Sequence, residues 1–125
     1  MVGIWFVALG GALGAVARYL VYFGVNRYLD HSFAYATLIV NVLGAFAALF
    51  ILTICAEKVL VVPVLRLFAI VGFLGAFTTF STYTYETIAM LENTLYLKAV
   101  VNIFANNLLS FAAGVLGIYA AKVLL

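Results

Sequence analysis

The stretch Gly72-Phe-Leu-Gly-Ala-Phe-Thr-Thr-Phe-Ser-Thr-Tyr83 places two glycines and a run of hydroxyl side chains within a segment otherwise apolar enough to cross a bilayer. A backbone polar group without a partner in lipid costs several kcal/mol, so an interrupted helix persists only where protein, water or an ion satisfies it. This combination predicts a helix that is broken inside the membrane. It indicates a membrane permeation protein.

The composition around this stretch excludes most soluble classes of protein. Of the 125 residues, 69% are hydrophobic and only 8% are charged, which is typical of a polytopic membrane domain. Segments nearly free of charge cover about 3–23, 33–56, 67–91 and 99–121, each close to the roughly 20 residues that a spanning helix needs. We therefore predict an all-α membrane protein: one domain over residues 1–125, with four transmembrane helices and a break in the third.

The residues that usually carry catalysis or bind metal are sparse. Cys55 is the single cysteine, which rules out an intrachain disulfide, and His31 is the single histidine. The sequence has no pattern of metal ligands and no set of nucleophile, base and orienting acid. The formal net charge of +2 is too small to indicate binding of a polyanion. These observations predict that the chain is not an enzyme.

The basic residues are evenly divided between the two sides that four spans define. One side of the membrane would carry Lys58, Arg66 and Lys122. The other side would carry Arg18, Arg27 and Lys98. Because the bias in Lys and Arg sets the orientation of a membrane protein, an even division gives no preferred direction. Dual insertion follows as a hypothesis, and the alternative is that so small a count balances by chance. A chain inserted both ways can pair with an inverted copy of itself.

Small and polar residues form stripes at helical spacing on the first two spans. Gly10 and Gly14 form a GxxxG motif, which typically lets two helix backbones approach closely. Arg18 either extends its charge to the membrane interface or forms a cationic lip that attracts anions. Asn41, near the middle of the second span, either joins helices or donates to a passing ligand.

The fourth span and the broken third span carry the richest candidate groups. Asn102, Asn106 and Ser110 recur every four residues, so they align on one helix face and offer N–H and O–H donors in series. The alternative is that these amides pack subunits together. Phe80 and Tyr83 follow the glycines of the third span, and aromatic ring edges carry partial positive charge that can replace part of an anion's water shell. Together these groups favour a pathway for a small anion.

Three stretches of the chain carry a resemblance to a known family. They are Gly10-Gly-Ala-Leu-Gly-Ala-Val-Ala-Arg-Tyr19, Thr37-Leu-Ile-Val-Asn-Val-Leu-Gly44 and Gly72-Phe-Leu-Gly-Ala-Phe-Thr-Thr-Phe-Ser-Thr82. In order and position they resemble the signature segments of the Fluc (CrcB-like) fluoride channels. The resemblance implies an antiparallel, dual-topology homodimer with two fluoride pores, which lies in a prokaryotic plasma membrane and exports fluoride passively. It also implies a structural Na+ ion at the dimer interface.

The resemblance also implies roles for individual residues. Gly75 and Thr78 match the positions whose backbone carbonyls hold the Na+ ion. The fluoride pathway and its vestibule would include Asn41, Phe80, Tyr83, Asn106, Ser110, Glu86 and, at the vestibule, Arg18. Tyr83 departs from the family pattern, because it adds a hydroxyl where relatives have phenylalanine. Phe104 and Gly114 stand where relatives often have hydroxyl groups, which leaves Ser110 as the clearest hydroxyl of that track.

Two other classes of function remain open at this point. A small proton-coupled multidrug exporter shares the short length, the four spans and the inverted pairing. Such exporters need an acidic residue in the first span, whereas the first span here has none and Glu86 is the only acid placed even partly within a span. A scaffold subunit that transports nothing is the other alternative, with every polar stripe serving assembly.

Overall fold

The computed structural model describes residues 1–57 and 63–125, and all the regular secondary structure within them is helical. Helix α1 is Val2–Tyr28, α2 is Tyr35–Glu57, and the last helix, α5, is Tyr96–Leu124. The third span, Pro63–Glu92, is divided into α3, residues 63–77, and α4, Phe80–Glu92. Each of these four segments is long and apolar enough to cross a membrane. The predicted four-span fold is confirmed. Lys58, one of the basic residues in the predicted charge balance, lies outside the described residues.

The third span is broken, as the glycines and hydroxyls in its middle predict. Its first half, α3, comprises a turn at Pro63–Arg66, a π-helical segment at Leu67–Leu74 and a last turn at Gly75–Phe77. Thr78 and Thr79 then adopt extended backbone angles, and α4 begins at Phe80 and runs to Glu92. The Thr79 side chain caps α4, because its Oγ1 accepts from the Thr82 N–H at 3.2 Å.

The first half of the third span packs directly on α1 through glycine. A Cβ atom at Gly10 would overlap the Phe68 carbonyl oxygen, and one at Gly14 would overlap the Phe73 carbonyl oxygen. From the other side, a Cβ at Gly72 would lie 2.7 Å from the Val7 carbonyl oxygen. The GxxxG motif therefore brings two backbones into contact, which is its usual role in membranes.

Helices α2 and α5 form the other close pair. A Cβ at Gly117 would overlap the Phe46 carbonyl oxygen, and one at Gly114 would lie 2.5 Å from the Leu49 side chain. Val40, Leu74 and Phe77 form a small buried cluster between α2 and the third span. Many large apolar side chains remain exposed on the outer helix faces, which suits a protein surrounded by lipid.

Polar contacts at one end of the bundle connect the turn between α1 and α2 to the start of α5. The Asp30 carboxylate accepts from the Ser32 backbone N–H at 3.1 Å and from the Ser32 hydroxyl, and the Lys98 ammonium donates to that same hydroxyl. The donation from Ser32 lowers the pKa of the Asp30 carboxyl below its ordinary value. Thr94, in the turn between α4 and α5, has a positive φ of 60°.

Candidate functional site

A groove of about 470 Å³ lies at the break and is open along one side of the bundle. Its lining comes from α2, α3, the break, α4 and α5, and it includes Asn41, Gly75, Thr78, Phe80, Tyr83, Asn106 and Ser110. These residues are widely separated in the sequence, yet the fold brings them to one wall. The groove thus collects most of the candidate residues that the sequence identified.

Asn41 holds the broken backbone in place. Its Oδ1 accepts from the Thr79 N–H at 2.9 Å, and its Nδ2 donates to the Thr79 carbonyl oxygen at 3.2 Å. One side-chain amide therefore satisfies both backbone groups of a residue that has left the helix. This is the compensation that a break in the membrane requires. Thr79 itself was not singled out from the sequence.

The amide of Asn41 continues into a ladder of buried side chains. Its Nδ2 also donates to Asn106 Oδ1 at 3.1 Å, and Asn106 Nδ2 donates to Asn102 Oδ1 at 2.9 Å. Asn102 Nδ2 in turn donates to the Thr87 hydroxyl oxygen at 2.9 Å. The alignment of Asn102 and Asn106 was visible in the sequence, whereas no local signal marks Thr87 as their partner. The N–H groups of Asn41 and Asn106 are used within the protein.

Two hydroxyl groups in the groove keep donor capacity. The Tyr83 hydroxyl oxygen accepts from Asn107 Nδ2 at 3.2 Å, which leaves its own proton available. The Ser110 hydroxyl is buried, and the described part of the chain offers it no hydrogen-bond partner. Buried polar groups are normally paired. The Tyr83 and Ser110 hydroxyls line the same groove, so both can donate hydrogen bonds to a small anion there.

The aromatic side chains near the break divide into two groups. Phe80 is 76% exposed and stands on the open side of the groove, where its ring tilts at 57° to that of Tyr83 with centroids 5.3 Å apart. Phe77 is buried against Val40 and Leu74 and belongs to the apolar core. Phe80 and Tyr83 therefore line the groove, whereas Phe77 does not.

Two other candidate residues lie away from the groove. Glu86 lines a separate cavity of about 250 Å³ beneath the turns, together with Tyr22 and Asn26 of α1. Its Oε2 is buried and has no hydrogen-bond partner among the described residues. Arg18 is half-buried on α1 and lines neither cavity. Because α1 continues to Tyr28, Arg18 is not at a helix end.

The break also leaves carbonyl groups that suit a hard cation. In a continuous helix the Thr79 N–H would bond to the Gly75 carbonyl, but here it bonds to Asn41. The last carbonyls of a helix have no donor within it, and α3 ends at Phe77 with Gly75 exposed beside the groove. Unsatisfied carbonyl oxygens are suitable ligands for Na+. Among the described residues, no cluster of His, Cys, Asp and Glu suits a metal ion.

Comparison with known proteins places this architecture in a family. The family described as "CrcB-like protein, Camphor Resistance (CrcB)" matches residues 5–118. The chain belongs to the CrcB-like family. Similar curated proteins match this CrcB-like chain over nearly its whole length, and each is named "Fluoride-specific ion channel FluC".

Three relatives show how close the similarity is. The chain is 40% identical to the protein of Sulfurihydrogenibium sp. (strain YO3AOP1), and the aligned region covers 94% of the chain and 95% of the relative. It is 42% identical to that of Geobacter metallireducens, with 98% of each covered. It is 44% identical to that of Hydrogenovibrio crunogenus, with 93% and 88% covered.

The family and the helices together support three sequence predictions. The CrcB-like chain is a multi-pass prokaryotic membrane protein, because it has four apolar spans and bacterial relatives. The names of its relatives describe ion channels, which agrees with the prediction that the chain is not an enzyme. The resemblance carried by the three sequence stretches is likewise confirmed.

Proposed function

We propose that this protein is a fluoride-selective channel that exports F− passively, down its electrochemical gradient. The observation that carries the proposal is the groove at the break, where free hydroxyl donors and aromatic ring edges meet in a chain related to fluoride channels. The pathway needs no energy source, because the ion moves down its own gradient. No acid lies in α1, so the multidrug exporter lacks the group that it would need there.

Selectivity in this proposal comes from replacing the water around the ion. Fluoride is small and binds hydrogen-bond donors strongly, so fixed donors in a narrow space compensate its dehydration better than that of a larger halide. The Tyr83 and Ser110 hydroxyls would donate directly, and the Phe80 ring edge would add a weaker attraction. Asn41 and Asn106 would shape this wall, because their N–H groups already have partners.

The groove would become a closed pore when a second, inverted copy covers its open side. Phe80 and Gly75 are exposed on that side in the single chain. An antiparallel homodimer repeats the same wall by two-fold symmetry, so it would contain two pores. The even division of Lys and Arg between the two ends favours insertion in both directions.

A Na+ ion at the dimer interface would complete the two breaks. The carbonyl groups of Gly75 and Thr78 would hold it together with those of the inverted copy, and the ion would neutralise polar groups that have lost their helical donors. Purification without sodium is expected to lower the thermal unfolding temperature, and Na+ should restore it. An unfolding temperature that is independent of sodium would contradict this site.

Glu86 and Arg18 would act outside the groove. We place Glu86 in the vestibule, because the cavity that it lines is largely polar and lies next to the turns. Arg18 would raise the local anion concentration near the entrance through its charge. Both side chains would therefore affect entry of fluoride more than its passage through the break.

Fluoride efflux from liposomes tests the pathway. Phe80→Ile removes the ring edge from the groove while keeping an apolar side chain, so we expect efflux to fall by about tenfold or more. Phe23→Ile is the matched control, because Phe23 is 58% exposed on α1 and does not line the groove. Efflux from folded Phe80→Ile protein at the wild-type rate would remove that ring from the pathway.

Labelling of a cysteine at the C-terminus tests dual insertion. Replacing Cys55 by alanine and adding Leu125→Cys leaves one thiol at the end of α5. We expect an impermeant reagent to label about half of the molecules from each side of the membrane, as even charge distribution predicts. Labelling from one side only would contradict the antiparallel dimer.

A further inference from the structure

The hydrogen-bond ladder runs from Thr87 through Asn102 and Asn106 to Asn41, and the contact at Thr87 determines which way each amide points. The Thr87 hydroxyl donates to the Tyr83 backbone carbonyl at 2.7 Å, and a carbonyl can only accept. The Thr87 hydroxyl has one proton, so its oxygen must accept from Asn102 Nδ2. This contact requires Asn102 to point its NH₂ group toward α4.

The same direction passes along the rest of the ladder. With its NH₂ group toward Thr87, Asn102 presents Oδ1 to Asn106, and Asn106 then presents its own Oδ1 to Asn41. Asn41 is left with Oδ1 facing the Thr79 N–H, a group that can only donate. The ladder therefore ends on a backbone acceptor, the Tyr83 carbonyl, and on a backbone donor, the Thr79 N–H. Only one orientation of all three amides satisfies both groups.

Burial makes the alternative orientations costly. Asn102 is fully buried, and Asn106 and Thr87 are 5% and 8% exposed. A reversed Asn102 amide would place its oxygen against the Thr87 oxygen and its N–H groups against those of Asn106, at a position that is fully buried. Leaving buried polar groups unpaired in this way is unfavourable. The ladder therefore has a single stable arrangement.

We propose that Asn102 and Thr87 are positioning residues that fix the Asn41 amide at the break and thereby set the rate of fluoride passage. Neither residue lines the groove. They act through Asn41, which holds both backbone groups of Thr79. The ladder also bonds the Tyr83 carbonyl, so it connects the break to the residue that carries one of the free hydroxyls. The effect on flux depends on the proposed function, whereas the effect on Thr79 does not.

Three substitutions of threonine test this inference. Thr87→Val keeps the shape of the side chain and removes the hydroxyl, whereas Thr87→Ser keeps the hydroxyl. Thr53→Val is the matched control, because the Thr53 hydroxyl also donates to a carbonyl four residues earlier at 2.7 Å but has no place in the ladder. If Thr87→Val does not fold, Thr87→Ala removes the same hydroxyl with less crowding.

Two measurements are made on each protein in lipid: hydrogen exchange of the Thr79 amide by NMR, and fluoride efflux. In Thr87→Val we expect Thr79 exchange to rise and efflux to fall, each by about tenfold, as for loss of one buried hydrogen-bond partner. Thr87→Ser should restore most of both values, and Thr53→Val should match the wild type.

The two measurements separate failure of this inference from failure of the proposed function. Unchanged Thr79 exchange in Thr87→Val would overturn the inference, whatever the efflux. Faster exchange with unchanged efflux, in a protein whose wild type conducts, would overturn the role in fluoride passage. If the wild type does not conduct, the proposed function fails, and faster Thr79 exchange in Thr87→Val would still support the positioning of Asn41.

Discussion

The two halves of the third span are held by opposite kinds of contact. The first half, α3, rests on α1 through backbone surfaces that glycine exposes at Gly10, Gly14 and Gly72. The second half begins at a break that the side-chain amide of Asn41 holds, supported by the ladder from α5. Close packing fixes the distance between two helices, whereas hydrogen bonds also fix the direction in which each polar group points.

This difference separates stability from conduction. A substitution in the packed half should prevent the helices from meeting, because a backbone oxygen cannot move aside. A substitution in the hydrogen-bonded half should leave the helices together and change the path of the ion. The substitutions below test this separation, in order of decreasing effect.

Gly14→Val is expected to have the largest effect. Its side chain would overlap the Phe73 carbonyl, and such overpacking lowers the free energy of unfolding by about 3 kcal/mol. The yield of folded protein and its thermal unfolding temperature measure the loss. Gly24→Val is the control on the same helix, because a Cβ at Gly24 meets no atom within 4 Å. Equal stability of the two variants would contradict the contact between α1 and α3.

Asn41→Leu should have the next largest effect, on conduction more than on stability. It removes both partners of the Thr79 backbone, so the break loses its shape, and we expect fluoride efflux to fall by about a hundredfold. The thermal unfolding temperature should fall less than in Gly14→Val, since α3 keeps its packing on α1. Wild-type efflux from folded Asn41→Leu protein would show that the amide is not needed at the break.

Tyr83→Phe should have a smaller effect that is confined to conduction. It removes one donor from the groove and keeps the ring edge, so we expect efflux to fall by about threefold with no change in folding. Tyr85→Phe, on an exposed part of the same helix, is the matched control. Efflux that is the same in both variants would indicate that the Tyr83 hydroxyl does not contact fluoride.

Ser32→Ala should have the smallest effect, because Ser32 and its partner Asp30 lie outside both halves of the third span. Because donation from Ser32 lowers the pKa of the Asp30 carboxyl in the folded protein, its contribution is complete at neutral pH and is lost as the pH falls through that lowered pKa. An NMR titration should find a midpoint below 3.8, and Ser32→Ala should raise it. Fluoride efflux at neutral pH should not change in Ser32→Ala. An Asp30 midpoint that Ser32→Ala does not move would contradict this contact.

Much of the fold follows from patterns that are local in the sequence. Long apolar segments identify the four spans, and the glycines with neighbouring hydroxyls identify the break in the third. The observed third span, Pro63–Glu92, extends beyond the predicted 67–91, because apolar content does not specify where helical hydrogen bonding ends. The π-helical segment at Leu67–Leu74 was not predicted, since its residues are ordinary apolar side chains.

The site could be predicted in its members but not in its connections. The spacing of Asn102 and Asn106 shows that they share a helix face, yet the partners of that face come from α2 and α4. The sequence therefore suggested donors for an anion, whereas in the structure the Asn102 and Asn106 side-chain N–H groups bond to Thr87 and Asn102. Thr79 and Thr87 were missed because their roles depend on residues far away in the chain.

Parallel efflux of fluoride and chloride from liposomes that contain the wild-type protein tests the central claim most directly. We expect fluoride to leave rapidly and chloride to leave no faster than from protein-free liposomes, because the groove offers a small number of fixed donors. Chloride efflux as fast as that of fluoride, or no efflux of either ion from folded protein, would contradict the account.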